Sequence, residues 1–181
     1  MLRWIRRSAT GRRLLALTFM MLVFTLMILP WVMERFAGYS RGGHPIDVNV
    51  GFAPADAYAT LEALGAEGRT FYLLFQITGD IVWPLVYALF LSTLLAWLFA
   101  RGFSPSSPVQ RFIIVPFLVL AADYAENLGI LAMILAYPAR LDAVAQLTSI
   151  LQTIKWALTG VCGLLVLVGA AAALARRGGN R

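Results

Sequence analysis

The sequence predicts an all-α integral membrane protein, a bundle of four transmembrane helices with a short amphipathic helix in the loop between the first two. Three observations carry this. Of 181 residues, 60% are hydrophobic and only 13% charged, against about a quarter charged in an ordinary soluble domain. The apolar residues fall in four long stretches, about residues 14–33, 71–100, 112–137 and 147–174. Each is long enough to cross a hydrocarbon core about 30 Å thick. The basic residues gather at the ends of these stretches, where they act as topology signals. Little beyond the first loop remains outside them, so residues 1–181 read as one membrane domain.

The net charge of +6 therefore implies no nucleic acid, because no basic stripe is interleaved with aromatics. Arg3, Arg6, Arg7, Arg12 and Arg13 precede the first stretch, Arg101 and Arg111 flank the second turn, and Arg176, Arg177 and Arg181 follow the fourth. The loop at 34–70 instead holds five acids, Glu34, Asp47, Asp56, Glu62 and Glu67, against Arg35, Arg41 and Arg69. The positive-inside rule puts both termini in the cytoplasm and this loop outside, with the cell (inner) membrane as the expected location.

The first stretch exceeds the apolar core of a signal peptide and is followed by no small-residue cleavage site, so it reads as a retained anchor. Before it, Leu2, Trp4 and Ile5 alternate with arginines, as in an interfacial segment on anionic lipid. In the outer loop, Gly38, Gly42, Gly43 and Pro45 predict irregular chain. Pro54 suits a first helical position and Gly65 a position just past a helix end, with Ala57, Tyr58, Leu61 and Leu64 on one face. That helix either lies flat on the membrane or caps the bundle. The second stretch contains Pro84, which has no N–H for the carbonyl of Asp80 and predicts a kink. The third opens near Pro116 and ends at Tyr137-Pro138. The fourth carries Thr159, Gly160, Gly163 and Gly169, small residues that allow close helix contact.

Four charged side chains interrupt the apolar stretches: Asp80, Asp123, Glu126 and Lys155. Each costs roughly 2.5–3.5 kcal/mol at helix centre, so the sum is on the order of 10–14 kcal/mol unless the groups meet partners. Helical spacing aligns them with other polar residues. Gln76, Asp80, Pro84 and Tyr87 share one line on the second helix, Asp123, Glu126 and Asn127 one face of the third, and Thr148, Gln152, Lys155 and Thr159 one line on the fourth. At about 1.5 Å rise per residue, all lie within a turn or two of the same depth, in the outer half of the bilayer or near its middle. One shared pocket is the expectation, formed by Asp80, Asp123, Glu126, Asn127, Lys155, Gln76, Gln152 and Tyr87.

Three carboxylates against one lysine leave excess negative charge for a proton, a bound cation or an inward-reaching arginine, with Arg69 nearest in sequence. Trp83 and Trp156 lie beside the polar stripes and suit a pocket wall. No metal site is expected: His44 is the only histidine, and with Asp47 it reads as part of a solvated loop. Cys162 is the only cysteine, which rules out dithiol chemistry and reads as a packing residue. No cofactor is expected, since no phosphate loop or imidazole set is present.

The span count, both ends inside and outer-side carboxylates look like the lipoprotein signal peptidases. Their aspartate motifs, however, do not match Asp123-Tyr124-Ala125-Glu126-Asn127-Leu128-Gly129, so no catalytic role carries over and no family is assigned.

The preferred reading is a protein that binds or transports a proton, cation or small cationic solute through an outward-facing acidic pocket. One alternative is a lipid-active intramembrane enzyme with Asp80 and Asp123 or Glu126 as acid–base partners. Another is an accessory subunit whose polar residues only hold helices together. The partners expected are the bilayer, a small solute or lipid headgroup, and a membrane-protein neighbour.

Overall fold

The computed structural model describes residues 9–178, and among these every regular element is helical, with no strand. The interfacial segment expected around Leu2, Trp4 and Ile5 lies outside them. Four helical spans are long and apolar enough to cross a membrane: Gly11–Ser40, Gly65–Gly102, Pro108–Ala136 and Asp142–Arg176. The exposed surface suits hydrocarbon, with Leu15, Phe19, Leu26, Leu128, Leu135 and Leu167 all exposed.

The first span is two helices joined by a wider turn. Helix α1 (Gly11–Val23) begins at Thr10, whose hydroxyl accepts from the Arg13 backbone N–H at 3.3 Å. A π-turn follows at Phe24–Ile28, then α2 (Leu29–Tyr39). Pro30 opens α2 without a donor of its own, and the Leu29 N–H reaches back to the Phe24 carbonyl. This span extends several residues past the expected end at 33. The second begins before the expected 71. The predicted 34–70 loop is thereby reduced to the segment between Tyr39 and Gly65.

Within that segment, α3 (Pro54–Ala63) has Pro54 in its first turn, and the Ala53 N–H donates to Asp56 Oδ2 at 2.9 Å. Ala57, Tyr58, Leu61 and Leu64 are all buried. They join Phe36, Tyr72, Ile130 and Met133 in one apolar cluster, so α3 packs on the end of the bundle. The backbone N–H of Leu141 donates to the Tyr58 hydroxyl, and the Arg140 guanidinium lies 4.7 Å from the Tyr58 ring centroid. Gly65, at φ +64°, makes the tight join to the next helix that a side chain would strain.

The second span is interrupted, though not where proline predicts. Helix α4 (Gly65–Ile77) ends at Thr78, whose φ of −124° and ψ of −78° break the helix before α5 (Gly79–Gly102). Helix α5 then continues through Pro84. At the break the Thr78 hydroxyl donates to the Leu74 carbonyl at 2.6 Å, and the Phe75 ring occupies the space that a Cβ on Gly79 would need. Pro84 still leaves the Asp80 carbonyl without its helical donor, and Asn127 supplies one: its Nδ2 donates to that oxygen at 3.1 Å. The proline is thus tolerated because a neighbouring span satisfies the freed carbonyl.

A 3₁₀ turn at Pro108–Ile114 leads into α6 (Val115–Ala136), and α7 (Asp142–Gly178) begins five residues before the expected 147. Helices α5, α6 and α7 pack mutually, with α6 against α7 the most extensive contact. Gly129 permits it, since a Cβ there would collide with the Thr148 side chain. The first span joins chiefly through α5 and contributes an outer wall.

Candidate functional site

The three polar stripes converge where α5, α6 and α7 meet. Asp80 stands in the first turn of α5, just past the break at Thr78. It is only 6% exposed, and its Oδ2 is buried without a hydrogen-bond partner among the described residues. Two turns on, the Tyr87 hydroxyl donates to Asp123 Oδ2 at 2.6 Å. Lys155, from α7, places its Nζ 2.6 Å from Glu126 Oε2 and 3.9 Å from Asp123 Oδ1. Glu126 is wholly buried, so the lysine is its charge partner and Asp123 a weaker second contact. Buried ions so arranged persist only when close pairing offsets lost hydration.

These groups border a cavity of about 380 Å³. Asp80, Asp123, Tyr87 and Lys155 are on its wall, with Trp83 and Trp156 beside them and Met21 and Leu29 closing the side toward the first span. Trp83 packs edge-on to Tyr87 with ring centroids 5.9 Å apart. The Lys155 ammonium lies 5.8 Å from the Trp156 ring centroid. The cavity is an apolar and aromatic chamber with a few charged groups set into it, the usual make-up of a small-molecule site.

Of the eight residues aligned by helical spacing, four line this cavity and Glu126 lies behind Lys155. The other three do different work. Asn127 holds the Asp80 carbonyl. Gln152 donates from Nε2 to the Ile46 carbonyl at 2.9 Å. Gln76 is fully buried with neither amide atom partnered among the described residues, and it is absent from the cavity lining. Arg69 does not reach the carboxylates. Its guanidinium donates to the Leu61 carbonyl at 2.9 Å and sits 4.1 Å from the Tyr137 ring centroid.

One lining residue was missed by helical periodicity. Asp47 lies in a short 3₁₀ turn, Ile46–Val48, that folds from the loop onto the bundle. The Tyr72 hydroxyl donates to Asp47 Oδ1 at 2.9 Å, and Asp47 and Val48 both line the cavity. Asp47 is half-buried and joins the acids at the cavity, apart from the exposed His44. No local pattern marks Asp47: Ile46 beside it is buried with its carbonyl held by Gln152, while Val48 and Val50 of the same loop are exposed. Among the described residues no group of three or more His, Cys, Asp and Glu side chains could hold a metal ion. No protein-family model, no curated protein and no solved structure matches this chain.

Proposed function

We propose that this chain is a polytopic membrane protein whose acidic cavity binds a small cationic solute at Asp80 and offers it a path into the bundle. The observation that carries the reading is the buried, unpartnered Asp80 Oδ2 on a cavity wall. An ionisable group inside a membrane domain marks a functional site by default. The other charges are occupied: Lys155 is engaged by Glu126 and Asp123, and Tyr87 serves Asp123. Asp80, with Asp47 also in the cavity lining, supplies negative charge that Lys155 does not answer. An acid–base enzyme pairing Asp80 with Asp123 or Glu126 is less favoured, because both partners are already bound by the lysine.

Tetramethylammonium is the direct probe. Titrated into nanodisc-embedded protein, it should change the fluorescence of the cavity tryptophans, Trp83 and Trp156. Asp80→Asn should weaken that response by about tenfold or more, the loss of a charge-assisted contact. A wild-type protein blind to the probe, or an Asp80→Asn variant that responds equally, overturns the reading.

The cavity lies toward the end of the bundle covered by residues 40–64, so the positive-inside orientation makes it outward-facing. An impermeant thiol reagent applied to intact cells should label His44→Cys and spare Gly178→Cys. Cys162 is buried and does not compete. The opposite pattern would make the cavity cytoplasmic.

A further inference from the structure

Beside the acidic cavity runs a second concavity, a groove of about 560 Å³ between the first and second spans. Phe24, Ile28 and Trp31 form one side and Ile77, Ile81 and Val82 the other. Trp31, Ile77, Ile81 and Val82 are all about half exposed, so the groove opens on the surface that faces hydrocarbon. Both irregular turns of the bundle border it: the π-turn at Phe24–Ile28 and the break at Thr78.

Groove and cavity are neighbours. Phe75 lines both, its ring resting against Gly79, where any Cβ would collide with it. The rest of the partition is aromatic: Phe24, in the groove, stacks on Trp83, in the cavity, with centroids 4.7 Å apart. A charged chamber and an apolar trough that share a side chain suit a molecule with a charged end and an apolar end.

We infer that the ligand is an amphiphilic organic ammonium ion, its head in the cavity beside Asp80 and its hydrocarbon chain in the groove. The inference rests on the acidic-cavity reading and adds the ligand's chemical class. A bare metal ion wants several oxygen ligands gathered around it. Here Asp80, Asp47 and Asp123 are spread over a wall shared with Trp83, Tyr87 and Trp156. A diffuse organic cation is attracted by carboxylates and by aromatic faces together. The chain never has to enter water, since the groove opens on the hydrocarbon-facing surface, and displacement of the Phe75 ring, the side chain common to both linings, joins groove to cavity for the head.

The test compares tetramethylammonium, which is head alone, with octyltrimethylammonium, which has head and chain, on nanodisc-embedded protein. Empty nanodiscs supply the correction for bilayer partitioning, and tryptophan fluorescence is the readout. Asp80→Asn should weaken both ligands. Val82→Phe, a groove-filling change at a half-exposed position that adds no fluorophore to the tryptophan signal, should weaken octyltrimethylammonium by about tenfold, equivalent to one or two buried methylene contacts. It should leave tetramethylammonium unchanged. If both ligands bind alike and Val82→Phe affects neither, the chain site is overturned while the acidic cavity stands. If neither ligand binds the wild type, the inference fails together with the cavity reading.

Discussion

Lys155→Met is expected to destabilise the protein by about 3–5 kcal/mol, the usual cost of stranding one member of a buried ion pair. Glu126 is the stranded group. It is fully buried, its Oε2 lies 2.6 Å from Nζ, and its Oε1 has no hydrogen-bond partner among the described residues. Adding Glu126→Gln should recover most of the loss, since the double variant leaves no unpaired charge at that position. Adding Asp123→Asn should recover little. Asp123 is 3.9 Å from the ammonium and keeps the Tyr87 hydroxyl at 2.6 Å. Adding Asp80→Asn should recover little, because the ion pairs of the lysine are with Glu126 and Asp123, while Asp80 lines the cavity. Denaturant unfolding of the purified protein across this set gives three coupling terms, and only the Glu126 term should be large. Equal additivity of all three with Lys155→Met would mean that the lysine has no specific partner. The polar residues would then be helix glue, as in an accessory subunit.

Helical arithmetic made much of the site legible. Four long apolar stretches give helices long and apolar enough to span a membrane, and a spacing of three or four residues on one helix puts side chains on one face. Asp80, Tyr87, Asp123, Glu126 and Lys155 were legible for that reason, and the rise per residue put them at matching depth. Periodicity, however, gives a face and a depth; it does not give the neighbour. Gln152 shares the Lys155 stripe yet reaches the Ile46 carbonyl, because the loop folds back onto α7 across a separation of 106 residues. Asp47 entered the cavity by the same fold-back, and no local pattern encodes it. Arg69 was the nearest arginine in sequence for one of three ways to offset the acids, whereas its guanidinium is taken by the Leu61 carbonyl and the Tyr137 ring.

Pro84 predicts a kink through the freed Asp80 carbonyl, and no sequence signal put a break at Thr78 itself. Proline is the strongest single signal for a kink, but its penalty is a missing hydrogen bond, and that penalty disappears when another donor arrives. The break falls instead at Thr78, two residues before the carbonyl that Pro84 frees and beside Gly79, where the Phe75 ring occupies the space of a Cβ.

Asn127→Leu tests that account of Pro84 and is expected to cost about 1–3 kcal/mol, the penalty for a buried carbonyl left without a donor. Leucine keeps the approximate size of the side chain, and what is lost is the 3.1 Å bond from Nδ2 to the Asp80 carbonyl. Asn127 is 5% exposed, so water is poorly placed to replace it. Pro84→Ala should reverse the loss. Alanine restores an N–H at position 84, directed along the helix at the carbonyl four residues back, so Asp80 regains its ordinary helical partner. Alone, Pro84→Ala should cost far less than Asn127→Leu, and the double variant should be more stable than the two single effects predict. The measurement is denaturant unfolding of all four proteins under one set of conditions. Additive effects would mean that the amide acts on something other than the freed carbonyl. A large positive coupling would identify Asn127 as the donor that lets a proline stand four residues beyond a buried carboxylate without unravelling the helix that presents it.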